Sequence, residues 1–113
     1  MVGVININRL IVKTFGTTYV INYKHIVFFE SNYRKINIIL CDNNIITYYD
    51  NFTNLKLKID MNQFIQSHKS YIVDYEYIYM IEKDEISFTR SKRCAYISKG
   101  YRKQFFKKLY SKT

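Results

Sequence analysis

The chain has 113 residues, of which 48% are hydrophobic and 24% charged, the length and balance of one soluble domain with a modest core. Its apolar runs, such as residues 26–29 and 36–41, are too short to cross a bilayer, and residues 1–9 lack the apolar region of a secretory signal. We therefore predict a cytoplasmic protein with a single domain over residues 1–113, in which residues 1–8 are a candidate linker. The formal net charge of +9 indicates a polyanionic partner.

The first half of the chain has the composition of strands, since Ile, Val, Tyr, Phe and Thr dominate it. The predicted strands are residues 10–14, 19–22, 26–31, 35–41 and 45–49. A turn at residues 32–34 joins the third strand to the fourth. The polar cluster Asp42-Asn43-Asn44 is a turn signal, so the last two strands are predicted to form a hairpin.

The second half continues with short elements and ends in a helix. Leu55 and Ile59 are four residues apart, which predicts one or two helical turns in residues 53–59. Further strands are predicted at residues 64–67, 71–74, 78–82, 86–89 and 94–97, with a basic loop at residues 90–93. Ser98 is predicted to cap a final helix that runs to about residue 110. The apolar stripe of this helix is Tyr101, Phe105 and Leu109.

The basic residues are concentrated at the C-terminal end. Glu85 is the last acidic residue, and half of the 18 lysines and arginines follow it. They are Arg90, Lys92, Arg93, Lys99, Arg102, Lys103, Lys107, Lys108 and Lys112. Such segregation predicts a basic surface that attracts DNA, RNA or an anionic membrane, and we favour nucleic acid without membrane.

Three blocks of the sequence resemble the LytTR family of DNA-binding domains. The first is IVFFES at residues 26–31, followed by Arg34-Lys35-Ile36. The second, FIQSHKSYIVD at residues 64–74, is the most specific, and the third is ISKGY at residues 97–101. Their order and spacing agree with the family from about residue 10 to residue 109.

The resemblance implies a mainly β fold, an elongated array of short antiparallel sheets with one short internal helix and a C-terminal helix. It also implies the output domain of a bacterial transcriptional response regulator, which holds double-stranded DNA by loops inserted in major grooves. The free protein is expected to be a monomer whose copies pair on direct repeats. An upstream receiver domain or a partner kinase is the other expected partner.

Carried onto this chain, the resemblance places DNA contacts in three loops. The contact residues are Arg34 and Lys35 in the first, His68 and Lys69 in the second, and Ser98, Lys99 and Arg102 in the third. Secondary basic contacts are expected from Arg90, Lys92, Arg93, Lys103 and Lys107. The chemistry agrees, because a guanidinium fork grips guanine or phosphate with two bonds, whereas a lysine suits phosphate.

Some residues depart from the family or have a second explanation. Gln66 stands where a basic residue is common, which weakens a phosphate contact there, and Asp74 replaces the usual Asn. His68 fits a bond to the backbone of its own loop as well as a DNA contact. Tyr33 is better explained by its turn than by a contact with sugar or base.

The sequence shows no pattern of an enzyme or of a cofactor site. It has no His, Asp or Glu cluster with metal-ligand spacing and no glycine-rich phosphate loop. Cys41 and Cys94 match no zinc or CxxC spacing, so two reduced thiols are expected, and a redox pair would need both sulfurs to be close. The alternative function is an RNA-binding or single-strand-binding β module, because basic charge with aromatic residues fits that class too.

Overall fold

The computed structural model describes residues 8–113 and shows a mainly β chain. Its strands are β1 (Arg9–Thr14), β2 (Thr17–Asn22), β3 (Ile26–Asn32), β4 (Lys35–Leu40), β5 (Ile45–Tyr49), β6 (Phe64–His68), β7 (Tyr71–Asp74), β8 (Ile78–Glu82), β9 (Glu85–Phe88) and β10 (Ala95–Tyr96). Its helices are α1 (Phe52–Leu55) and α2 (Arg102–Tyr110). The predicted mainly β fold is confirmed, whereas nearly all of the candidate linker, residues 1–7, lies outside the described residues.

The strands form three small antiparallel sheets. The central sheet has the order β5-β4-β3-β7-β6, so that β3 pairs with β4 on one side and with β7 on the other. β1 and β2 form a separate hairpin, and β9 lies between β8 and β10 in the third sheet. The pairing of β3 with β7 positions the site, because it brings the end of β3 beside the start of β7.

The central sheet is covered on both faces. On one face it packs against the β1–β2 hairpin and α1, in a core that includes Leu10 and Leu55. On the other face it packs against the third sheet and α2, in a core that includes Phe88 and Phe105. Residues 26–29 of β3 are all buried as a result, which explains why their sequence is continuously apolar instead of alternating.

The short helix α1 begins at Phe52, one residue before its predicted start at residue 53. The Asn51 side chain caps it by accepting a hydrogen bond from the Asn54 amide at 2.9 Å. Leu55 and Ile59 are both buried in the first core, as their spacing of four residues predicted. The helix and the turn after it therefore bury these two side chains in the first core.

The C-terminal helix starts later than predicted, and Ser98 as its cap is wrong. α2 begins at Arg102 after Tyr101, without a side-chain cap. The Ser98 amide instead donates to the Ser67 carbonyl at 2.9 Å, and the Ser98 carbonyl accepts from the Tyr101 amide at 3.0 Å. Because the bond to Ser67 holds Ser98 beside β6, the chain must turn before it can begin the helix.

The described residues measure 40 × 40 × 26 Å, so the domain is flattened. None of its helices is long and apolar enough to span a membrane, within residues 8–113. Cys41 and Cys94 are free thiols in different surroundings, the first beside Tyr77 and the second beside Glu85. Burial, and then Glu85, raises the pKa of Cys94. This arrangement agrees with two independent reduced cysteines.

Candidate nucleic-acid interface

Three loops lie at one end of the central sheet, and we name them the first loop (residues 32–35), the second loop (residues 68–70) and the third loop (residues 98–101). The first and second loops are adjacent because β3 and β7 pair there, with Glu30 opposite Tyr71. Next to this pair, the Ser31 amide donates to the Ser70 carbonyl at 2.9 Å. A backbone hydrogen bond thus joins two loops that are distant in the sequence.

The third loop is joined to the second through Ser67. This residue is completely buried, and its hydroxyl donates to the Tyr96 carbonyl at 2.9 Å. The Ser67 carbonyl accepts the hydrogen bond from the Ser98 amide, which begins the third loop. Since His68 follows Ser67 directly, these two bonds place the third loop beside the second.

The first loop presents its cations on an anchored backbone. Asn32 pairs with Lys35, and the Asp50 amide donates to the Arg34 carbonyl at 3.1 Å. The side chains of Arg34 and Lys35 are exposed, and Lys35 Nζ lies 5.6 Å from the centroid of the Tyr49 ring. A guanidinium on a fixed backbone is suited to directed hydrogen bonds with a ligand.

Tyr33 lies at the tip of the first loop, in the turn that the sequence predicted. Its side chain is 98% exposed, and its φ of +59° lies in the left-handed region. For a bulky residue this backbone conformation costs about 1–2 kcal/mol, and the exposed ring gains no packing in return. Such an outlier motivates a functional hypothesis. In the sequence, the signal of this unusual backbone conformation is a tyrosine in a turn position where glycine or asparagine is usual.

His68 is bound within the second loop. Its Nδ1 accepts a hydrogen bond from the Ser70 amide at 3.0 Å, and its ring packs edge-on against Tyr71 at a centroid distance of 5.3 Å. Burial, and then the charge of Lys69, lowers the pKa of His68 below its ordinary value. The ring is therefore neutral at pH 7 and carries its hydrogen on Nε2, which remains a donor. Lys69 is exposed beside it.

The third loop brings Lys99 to the shared surface but directs Arg102 elsewhere. Lys99 and Gly100 are exposed, and a Cβ added to Gly100 would meet no atom within 4 Å. The Arg102 guanidinium forms an ion pair with Asp84 in the β8–β9 turn and lies 5.3 Å from the centroid of the Phe106 ring. Arg102 thus has partners inside the protein, whereas Lys99 points to solvent.

Arg90 lies at the opposite end of the sheet. It lines a cavity of about 290 Å³ together with Lys24 and Asp74, which precede β3 and end β7, respectively. The three loops are at the other ends of these strands. The structure therefore does not bring Arg90 to the other sequence-predicted contacts.

The other residues predicted to make secondary basic contacts are exposed and lie outside the strands of the central sheet. Lys103 and Lys107 lie on the face of α2 opposite the buried Phe105, because each is two residues, about 200°, away from it. Lys92 and Arg93 are exposed in the connection between β9 and β10. Over residues 8–113, no group of His, Cys, Asp and Glu is arranged to hold a metal ion.

This fold and these loops define a class of protein: a small basic β domain whose cations are presented by hydrogen-bonded loops, suited to a nucleic acid. The LytTr DNA-binding domain family matches residues 16–110, a range that contains all three loops. The chain therefore belongs to this family and is a DNA-binding domain, as its sequence blocks predicted.

One solved structure supports the same fold. It is the LytTr DNA-binding domain of a putative methyl-accepting/DNA response regulator from Bacillus cereus, with a TM-score of 0.78 over 92% of this chain and 98% of that chain. The two sequences are 18% identical, so this likeness concerns the fold alone. No curated protein sequence matches that of this chain.

Proposed function

We propose that this domain binds specific sequences of double-stranded DNA through its three loops and so regulates transcription as the output domain of a bacterial response regulator. The observation that best supports this is the pair of backbone bonds, from Ser31 to Ser70 and from Ser98 to Ser67. They hold together three loops that each carry exposed cations. A rigid array of this kind can meet a regular polyanion with little loss of conformational entropy.

In the proposed complex, Arg34 provides the sequence preference. Its anchored backbone aims a planar fork with the geometry to bond both O6 and N7 of guanine in the major groove. Lys69 and Lys99 are point charges on flexible stems and contact phosphates, which fix the position of the domain on the duplex. His68 donates from Nε2 to a base or phosphate acceptor.

Tyr33 adds an apolar contact to the first loop. Among the large hydrophobic side chains of residues 8–113, its ring is the most exposed. In a major groove the ring would lie against a thymine methyl group or a sugar, while its hydroxyl could donate to a nearby acceptor.

The other basic residues attract DNA without selecting a sequence. Lys35 and Ser98, the end residues of the first and third loops, contact the sugar–phosphate backbone in this proposal. Arg102 would do so by exchanging its Asp84 partner for a phosphate. Long-range attraction comes from the secondary residues Arg90, Lys92, Arg93, Lys103 and Lys107. Because a positive surface displaces counterions, this attraction should weaken steeply as salt is added.

The family resemblance and the description of the Bacillus cereus protein motivate the remaining assignments. We propose cytoplasmic action, a monomer in the free state, and two copies side by side on paired direct repeats. A receiver domain upstream, or a separate kinase, would supply the activating signal. The domain itself is proposed to be non-catalytic.

The test is selection of duplexes from a random pool with the full chain, followed by gel shift at physiological salt. The selected duplex competes against a scrambled duplex of the same composition and against RNA of the same sequence. We expect the selected duplex to bind about 10³-fold more tightly than the scrambled one. Equal binding of all duplexes would refute sequence recognition, and preferential binding of RNA would favour the RNA-binding alternative.

A further inference from the structure

A cleft between α1 and α2 lies next to the second and third loops. It has a volume of about 330 Å³, and Lys56 from the end of α1 and Lys108 from α2 both line it. Both lysine side chains are exposed. The cleft floor is buried Ile65, so the two ammonium groups stand at the rim of a concave, low-dielectric surface. Such a surface focuses a positive potential.

The lining of the cleft offers donors and no carboxylate. Besides the two lysines, its polar residues are Gln66, Gln104 and Tyr101, all of them neutral. Among residues 8–113 the recorded ion pairs are Lys58 with Asp50 and Arg102 with Asp84. Lys56 and Lys108 thus keep their full charge available to an anion from outside.

Hydrogen bonds connect the cleft to the proposed interface on two sides. Lys56 Nζ donates to Gln66 Oε1 at 2.8 Å, and Gln66 Nε2 donates to the His68 carbonyl at 3.1 Å. On the other side, Tyr101 lines the cleft and its amide donates to the Ser98 carbonyl at 3.0 Å. The cleft therefore adjoins the second and third loops.

We propose that the cleft is a phosphate-binding site for the DNA backbone, in which Lys56 and Lys108 each contact a phosphodiester next to the bases contacted by the loops. Gln66, which has no charge of its own, positions the Lys56 ammonium there. This proposal rests on DNA binding by the three loops and adds two residues from elements outside them.

The test compares two double variants that lose the same charge. Lys56→Gln with Lys108→Gln removes both charged groups of the cleft, whereas Lys103→Gln with Lys107→Gln removes two exposed α2 lysines that do not line the cleft. Both pairs put in a neutral polar side chain that is one atom shorter than lysine, and circular dichroism on heating should show unchanged melting. Binding is measured by fluorescence anisotropy between 50 and 200 mM salt, on a random-sequence duplex and on the selected and scrambled duplexes.

We expect the cleft variant to have a plot of log affinity against log salt that is shallower by about 1.8, because two phosphate contacts are lost. Between 50 and 200 mM salt the parent would then lose about 12-fold more affinity than the variant. The control variant should change the slope by less than half as much, and Lys56→Arg with Lys108→Arg should keep the parent slope.

Equal flattening by both double variants, or none by the cleft variant, would overturn the cleft proposal. The parent's preference for the selected duplex over the scrambled one is a separate readout. Its absence would refute sequence recognition, while a slope difference specific to the cleft on random duplex would still support the phosphate site.

Discussion

Asp74 is a buried carboxyl whose replacement should stabilise the protein in a pH-dependent way. Its side chain is 1% exposed, and its two oxygens accept hydrogen bonds from the Gln63 side chain and the Glu76 amide, both at 2.9 Å. Burial outweighs these bonds and raises the pKa of Asp74 from 3.8 to about 6. The charged groups on the adjoining cavity are Lys24, Arg90 and Glu76.

The direction of the pH effect on stability follows from this higher pKa in the folded state. Asp74 binds its proton more tightly in the folded than in the unfolded chain, so its favourable contribution is complete below pH 3.8 and is lost as pH rises through about 6. The difference between the two pKa values corresponds to about 3 kcal/mol of unfolding free energy. Asp74→Asn removes the titration and keeps an oxygen to accept from the Glu76 amide.

We therefore expect the unfolding free energy of Asp74→Asn, relative to the parent, to rise by about 2.4 kcal/mol between pH 4 and pH 8, because part of the total of about 3 kcal/mol is already lost at pH 4. Urea unfolding followed by circular dichroism at several pH values measures this difference. Asp60→Asn is the matched control, since the Asp60 carboxylate accepts from the Asn62 amide at 2.9 Å in a similar turn but is exposed. A difference for Asp74→Asn that stays constant to within about 0.5 kcal/mol over this range would refute the role assigned to burial.

Three further predictions concern the loops. Tyr33→Gly should raise the unfolding free energy by about 0.5–1 kcal/mol, because glycine adopts positive φ without strain. The same variant should bind the selected duplex more weakly. A variant less stable than the parent would show that the ring has a structural role. Arg34→Ala should cost about 1–3 kcal/mol on the selected duplex and relax the preference at one base pair, unlike Arg9→Ala on the β1–β2 hairpin. An equal loss on scrambled DNA would make Arg34 a phosphate contact only. The ¹⁵N spectrum of His68 should show a neutral ring protonated on Nε2 and a pKa below 6.5, whereas a hydrogen on Nδ1 would contradict its bond with the Ser70 amide.

Elements set by local sequence could be predicted, and those set by tertiary contacts could not. The unbroken apolar run at residues 26–29 and the turn at Asp42-Asn43-Asn44 each indicate their element directly. The start of α2 could not be inferred, because Ser98 is a good capping residue that is instead bonded to Ser67 in β6. The ion pair of Arg102 could not be inferred either, because its partner Asp84 lies in another hairpin.

The candidate site likewise combines features that are visible in the local sequence with features that depend on tertiary contacts. Its cationic residues were recognisable in the sequence, but their convergence depends on the pairing of β3 with β7 and on the bond from Ser98 to Ser67. Neither contact leaves a local pattern. The exposure and left-handed backbone of Tyr33 likewise became visible only in three dimensions.

The central claim is that the three loops together form the DNA-binding surface. Amide chemical-shift mapping with isotope-labelled protein and the selected duplex tests it most directly. We expect the largest chemical-shift changes in residues 32–35, 68–70 and 98–101, and all three loops should saturate at the same ratio of DNA to protein. The amides around Asp74 and Arg90 should change little. Changes centred on that opposite end of the sheet, with the three loops unaffected, would contradict the account.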